Sequence, residues 1–430
     1  PKIDVISEQE TSDESLWKEW QEQLLNVKGA IDPNFEYLRS RFSGPESFRD
    51  FAEIISLLRS TGLELNTNKR WSSKFVFPYG VDSLYEDLNK DAKTNDRNFF
   101  GRTGEMLYLI LCRSAKRDQV RELLSKHLIF QDSGFNKLAR ALQPDEGETS
   151  SSQLKDSFLP YTTHPSYDAL SEDWIALLEL EVPGYDVIPH LVNMAAFHLM
   201  LYQLKVAKDI AAKSEPLRMV CEIVAPKKTL VRELSCDDYQ QNNLLSTEAV
   251  TAYIEAIEES DEWKQASEQP GAFVNCKAIL EERVRWGNDY EGATTPGDLI
   301  KTLREDCRKR HKQHVANVHR TYGKDIGLIS KRGTIRLRYA PNDDFLKSLI
   351  FSNVSKRMEL HRFLELLWER YGLIFGDKEA EKVLSSDIFD KKSFQSNARR
   401  LEQRLTSLGL VKRLSDGCAY VLNPHSRTVS

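Results

Sequence analysis

The stretch that most constrains this chain is 391–424, KKSFQSNARRLEQRLTSLGLVKRLSDGCAYVLNP. Phe394, Ala398, Leu401, Leu405 and Leu408 recur at steps of three and four, which gives a helix one apolar face. Gly409 stands where the end of such a helix needs a residue that tolerates positive φ. Two β-like runs follow, 410–414 and 418–422, around Ser415-Asp416-Gly417, a Gly-bearing loop of hairpin length. The polar side of the helix carries Lys391, Lys392, Gln395, Asn397, Arg399, Arg400 and Arg404, and the hairpin opens with Lys412 and Arg413.

The residues before it complete a pattern. Residues 358–371 (MELHRFLELLWERY) form a strongly periodic helix with Leu360, Phe363, Leu364, Leu367 and Trp368 on one side. Residues 377–384 read as a short second helix entered through Gly376. Two helices, a third with a basic, amide-rich face, and a basic hairpin resemble a winged helix-turn-helix domain over the last 70 or so residues. That resemblance implies a helix placed in the major groove of duplex DNA. The alternative use of such a domain is docking to protein.

Charge is divided unevenly. The net charge is −5, yet residues 301–430 hold 27 Lys+Arg against 15 Asp+Glu. A basic C-terminal third on an acidic body points to an anionic partner. Nucleic acid fits better than a membrane, because no amphipathic anchor or lipidation motif accompanies the charge. Six cysteines are scattered without a CxxC pair, as in reduced intracellular proteins. The N-terminal residues are polar and acidic, unlike a signal peptide. The most apolar run, 187–206, includes Pro189, His190, Asn193, His198, Gln203 and Lys205, so it reads as a buried helix and not a membrane span. A cytoplasmic, bacterial protein is the expectation.

At 430 residues the chain has room for two or three domains. The fold class expected is mainly α: a multi-domain helical protein with short β-hairpins and a C-terminal winged-helix domain. Residues 1–142 read as a helical domain, with helices at 12–28, 45–62, 104–113, 117–129 and 135–142 and an extended aromatic segment at 71–79. Small, polar and acidic residues make 143–157 a linker. A central helical domain, 158–298, would hold helices at 173–180, 188–212, 246–260 and 276–286, with a hairpin from 217–225 and 229–234. Residues 299–355 would form a basic helix (296–322), a hairpin in GLISKRGTIRLRYAP (327–341) and a helix at 345–354. That hairpin echoes 409–424, so 299–355 could be a first winged-helix unit, or else one basic hairpin packed between domains. Residues 356–430 form the winged helix.

Few motifs point to catalysis. Cys307, His311, His314 and His319 share helical spacing that could hold Zn²⁺. A single helix seldom supplies four tetrahedral ligands, and histidines in RKRHKQH serve equally as donors to phosphate, so no metal and no cofactor are expected. Glu105, Asp186, Glu222 and Lys227 or Lys228 could be a scattered metal-dependent nuclease core. In MVCEIVA, however, Val224 stands where the acidic-x-Lys signature needs lysine, and Glu222 reads as a solvent-facing strand residue. There is no phosphate-cradling Walker loop and no GxSxG elbow. Gly101-Arg102-Thr103-Gly104 is only a weak anion-turn signal, and Trp71, among Lys69, Arg70 and Lys74, is the one tryptophan placed for base stacking.

The expected function is a non-enzymatic, duplex-DNA-binding subunit. Phosphate contacts would come from Arg308, Lys309, Arg310, Lys312, Lys331, Arg332, Arg336 and Arg338, with Lys391, Lys392, Arg404, Lys412 and Arg413 around the recognition helix. Gln395, Asn397, Arg399 and Arg400 would reach the bases. The segments NFFGRTGEMLYLILCRS, GLISKRGTIRLRYAPNDDFLKSL and RRLEQRLTSLGLVKRLSDGCAYVLNP resemble mid-sized proteins of prokaryotic anti-phage operons, including DNA-modification-linked restriction systems. This resemblance implies work beside other subunits, such as an ATPase or a nuclease, or as a homo-oligomer. A nuclease and a purely protein-docking scaffold are the alternatives.

Overall fold

The computed structural model describes residues 14–15, 102–127, 159, 161–182, 184–225, 228–284, 292–313, 316–331, 336–415 and 418–426. The chain is mainly helical, with short strands in small sheets, and divides into two compact units, Pro1–Thr163 and His164–Ser430. In the first unit, α1 (Arg102–Arg113) and α2 (Arg117–His127) match the two apolar helices expected there. Ser114 makes the corner, its Oγ accepting from the Lys116 N–H at 3.1 Å. The segments at 45–62, 71–79, 135–142 and 143–157 lie outside the described residues.

The second unit is built on one buried helix. After α3 (Pro165–Leu178), α4 (Ile188–Ile210) buries Leu191 and nearly every residue from Met194 to Leu204. A helix apolar all round must be surrounded. It packs against α3, α5 (Leu230–Glu258), α9 (Ala316–Asp325) and α10 (Asp343–Asn353). Among the described residues, no helix is long and apolar enough to cross a membrane. Beyond α5, the helices α6 (Asp261–Glu268), α7 (Ala272–Val284) and α8 (Pro296–Gln313) close a separate core of Ile254, Ile257, Trp263, Cys276, Leu280, Leu299 and Leu303.

The remaining elements are β1 (Met219–Val220), β2 (Ile329–Ser330), β3 (Arg338–Tyr339), β4 (Arg357–Glu359), α11 (Leu360–Tyr371), β5 (Leu373–Ile374), α12 (Asp377–Glu381), α13 (Lys391–Ser407), β6 (Val411–Ser415) and β7 (Cys418–Leu422). α13 starts at Asp390, whose carboxylate accepts from the N–H groups of Lys392 and Ser393, and ends before Gly409 at φ +72°. β6 and β7 form the expected hairpin, and β4 adds on the far side of β7 to give the antiparallel order β4-β7-β6.

One expectation is corrected. Residues 217–225 and 229–234 do not form a hairpin. Thr229 instead caps α5, its Oγ1 accepting from the Arg232 N–H at 3.2 Å, and Glu233 sits in the first turn where the helix dipole favours it. β1 pairs in parallel with β5, Met219 opposite Leu373 and Val220 opposite Ile374. The helix expected at 296–322 is helical over α8 and α9, and 314–315 between them lie outside the described residues. The segments 158–298, 299–355 and 356–430 share one compact unit from residue 164 onward, with 158–163 falling in the first unit. They are held together because α9 and α10 pack on α4, and β5 pairs with β1. The turn into β5 depends on Gly372, at φ +76°, where a Cβ would collide with the Leu217 carbonyl oxygen.

Candidate nucleic-acid interface

α13 has two polar sides with different roles. Its exposed residues are Lys391, Lys392, Gln395, Ser396, Arg399, Gln403, Thr406 and Ser407, and none is acidic. Glu402 is drawn sideways to Arg413 of β6 at 3.8 Å. Lys412 and Arg413 are exposed on the hairpin, followed by Leu414 at 60% exposure. Gln395 keeps its Nε2 on the Asp377 carboxylate at 3.0 Å, which orients the amide while leaving its carbonyl and one N–H free. Gln403 is not among the contacts expected from the sequence; its signal is the four-residue step from Gln395 through Arg399, which repeats along one helix face.

The other polar residues of α13 are turned inward, and this corrects the expected contact set. Asn397 is fully buried. Its Oδ1 accepts from the Ile223 N–H at 2.8 Å, and its Nδ2 donates to the carbonyls of Cys221 at 2.9 Å and Phe375 at 3.0 Å. Every bonding direction of the amide that matters for a base is taken, so Asn397 reads no DNA. Arg400 is half-buried with Nε on the Ile223 carbonyl at 3.2 Å, and Arg404 bonds Asp343 at 2.5 Å and the Pro341 carbonyl at 3.2 Å. These two guanidiniums are committed to the protein.

The upstream basic residues divide in the same way. Arg308, Lys309 and Lys331 are exposed, and Arg336 is exposed but paired with Asp237 at 2.7 Å. Arg332 and the side chains of Arg310 and Lys312 lie outside the described residues. Arg338 is 1% exposed and meets the fully buried Glu222 at 2.5 Å, while Arg232 meets the other oxygen of Glu222 at 2.8 Å. Arg338 therefore contacts no phosphate. Glu222 is also not the solvent-facing residue expected, because Arg338 and Arg232 draw it inward from a segment whose N–H bonds the Tyr339 carbonyl at 2.9 Å. With both oxygens held by guanidiniums it is not free to ligate a metal. Asp186 is exposed, and Glu105 belongs to the other unit.

The histidine row is taken up by packing. His311 Nε2 bonds Ser246 Oγ at 2.8 Å, Cys307 packs against the α5–α8 core, and His314 lies outside the described residues. Among the described residues, no group of three or more His, Cys, Asp or Glu is placed to hold a metal ion. His319 stacks on Tyr239 with ring centroids 5.0 Å apart. Asn242 can only donate to the Tyr339 hydroxyl, at 3.0 Å, so that hydroxyl gives its own hydrogen to His319 Nε2 at 3.0 Å. Burial pushes the imidazole down to about 4.

The sign of the resulting pH dependence is fixed. His319 is neutral in the folded protein, while in the unfolded chain it takes a proton below about 6.5. Its contribution is complete above that value and is lost as pH falls toward 4. The full loss is about 3 kcal/mol. His164, His190 and His311, also lowered by burial, act in the same sense. Urea midpoints at pH 7.5 and 5 should fall on acidification, with a smaller fall in His319→Gln. An equal fall in the variant would show that His319 is not the group titrating.

No family model matches the chain, and no curated protein matches it.

Proposed function

We propose that the protein binds duplex DNA through α13 and the β6–β7 hairpin, as a non-enzymatic subunit of a bacterial, anti-phage-type complex. The observation carrying this reading is the division of α13: its inward polar groups hold the protein together, and its outward face keeps cations and amides without one exposed carboxylate. Lys391, Lys392, Lys412 and Arg413 supply phosphate contacts, with Arg308, Lys309 and Lys331 as further exposed cations. The partner-protein side of the proposal draws support from the acidic surface of α5 to α7, where Glu255, Glu259, Asp261 and Glu268 are exposed.

The test is a fluorescence titration of the intact protein on a labelled duplex at two salt concentrations. Affinity should drop steeply with salt, because each neutralised phosphate releases counterions. Changing Arg399, Lys391 and Lys392 together to glutamate should weaken binding by at least about tenfold without altering the circular dichroism. An intact protein that shows no binding at low salt would remove the DNA reading. The hairpin domain would then stand as a protein-docking module.

A further inference from the structure

Among the described residues of the second unit, six large apolar side chains are exposed, and four of them stand on two oppositely charged surfaces. Tyr253 near the end of α5 and Val274 at the start of α7 belong to the acidic one. The same stretch exposes Glu255, Glu259, Asp261 and Glu268, while its cations Arg283 and Lys277 are paired with Glu262 at 2.5 Å and Glu281 at 3.6 Å. Ile388, just before α13, and Leu414 in β6 belong to the basic one, with Lys391, Lys392 and Lys412 next to them in the chain. A bulge between Arg413 and Ser415 turns Leu414 outward. A phosphate backbone gives Ile388 and Leu414 nothing to pack on. A protein surface with its own apolar centre and the opposite charge does.

The two surfaces of one molecule cannot meet. Leu234 of α5 shares a core with Phe394 of α13, and Ile257 of the same helix shares another with Trp263. From Leu234 to Ile257 the unbroken helix advances about 35 Å. We infer that a second copy closes the contact: the α5–α7 surface of one molecule docks on the α13–hairpin surface of the next. Tyr253 and Val274 face Ile388 and Leu414, and the carboxylates face the lysines. Because the contact joins unlike surfaces, it repeats head to tail and builds chains or rings. It names the protein partner of the acidic surface, and it rests on the proposed function in one respect: duplex DNA on α13 displaces the neighbouring copy.

The test is sedimentation velocity of the intact protein over a range of concentrations, at low and high salt. The native chain should assemble with rising concentration at low salt and return to monomer at high salt, because ions screen the attraction between exposed charges. Two charge-reversed proteins are compared with it, Glu255→Lys with Glu259→Lys, and Lys391→Glu with Lys392→Glu. Lysines at the end of α5 and glutamates at the start of α13 suit the helix dipoles, so both proteins should fold. Each alone should associate about tenfold or more weakly, with like charges now opposed. Mixed in equal amounts they should assemble again, since the unaltered acidic surface of one meets the unaltered basic surface of the other. Adding duplex should break up the native assemblies. A native chain that stays monomeric at every concentration, or altered proteins that ignore each other when mixed, would overturn the inference and leave duplex binding untouched. Assembly lost in each variant and restored in the mixture, yet indifferent to duplex, would keep the contact and overturn the DNA reading.

Discussion

Glu222→Ala is expected to lower the free energy of unfolding by about 3–5 kcal/mol, because it leaves a buried guanidinium without its counter-charge. Arg338 is the group that suffers. It is 1% exposed and has its Nε 2.5 Å from the carboxylate, whereas Arg232, 21% exposed, can turn to water. The pair need not be a large net stabiliser as it stands, since taking charges out of water costs much of what their attraction returns. Breaking one side alone exposes that cost. Replacing Arg338 and Glu222 together by methionine should therefore be much milder than Glu222→Ala. Urea denaturation of the three proteins decides it; a change below about 1 kcal/mol in Glu222→Ala would mean that Arg338 escapes to solvent.

Asn397→Leu is expected to cost about 3 kcal/mol or more, with the Ile223 N–H and the carbonyls of Cys221 and Phe375 left buried and unpaired. Because these bonds fix α13 against the segment 221–223, duplex affinity should fall in the same variant. Asn397 would then be a positioning residue that never meets DNA. The informative comparison is with Arg399→Ala, which should lose binding and keep its stability. An Asn397→Leu protein that unfolds like the native chain yet no longer binds would place Asn397 on the DNA side after all.

Local pattern carried much of this architecture. The 3.6-residue periodicity of 391–408 and Gly409 gave α13 nearly to the residue, and the short runs around Ser415-Asp416-Gly417 gave the hairpin. The hairpin expected at 217–234 shows where local pattern ends. MVCEIVA is β-like because it is buried and extended, but its partner is β5, far along the chain. The same distance hid the roles of Asn397 and Arg338. A polar residue in a basic run looks exposed until the segment that takes its hydrogen bonds is known, and nothing near Asn397 in sequence announces Cys221 or Ile223. Gln403 sits past the densest cations, which draws attention away from it although its spacing is visible.

The parallel pairing of β1 with β5 also has a consequence in time. A ribosome releases Met219 about 150 residues before Leu373, and synthesis at roughly 5–20 residues per second makes that interval on the order of ten seconds. For that interval the apolar segment MVCEIVA lacks its parallel partner β5, and Asn397 has not yet been made. The nascent chain therefore carries an open strand edge over that interval, and the middle of the second unit is completed only when β5 and α13 arrive.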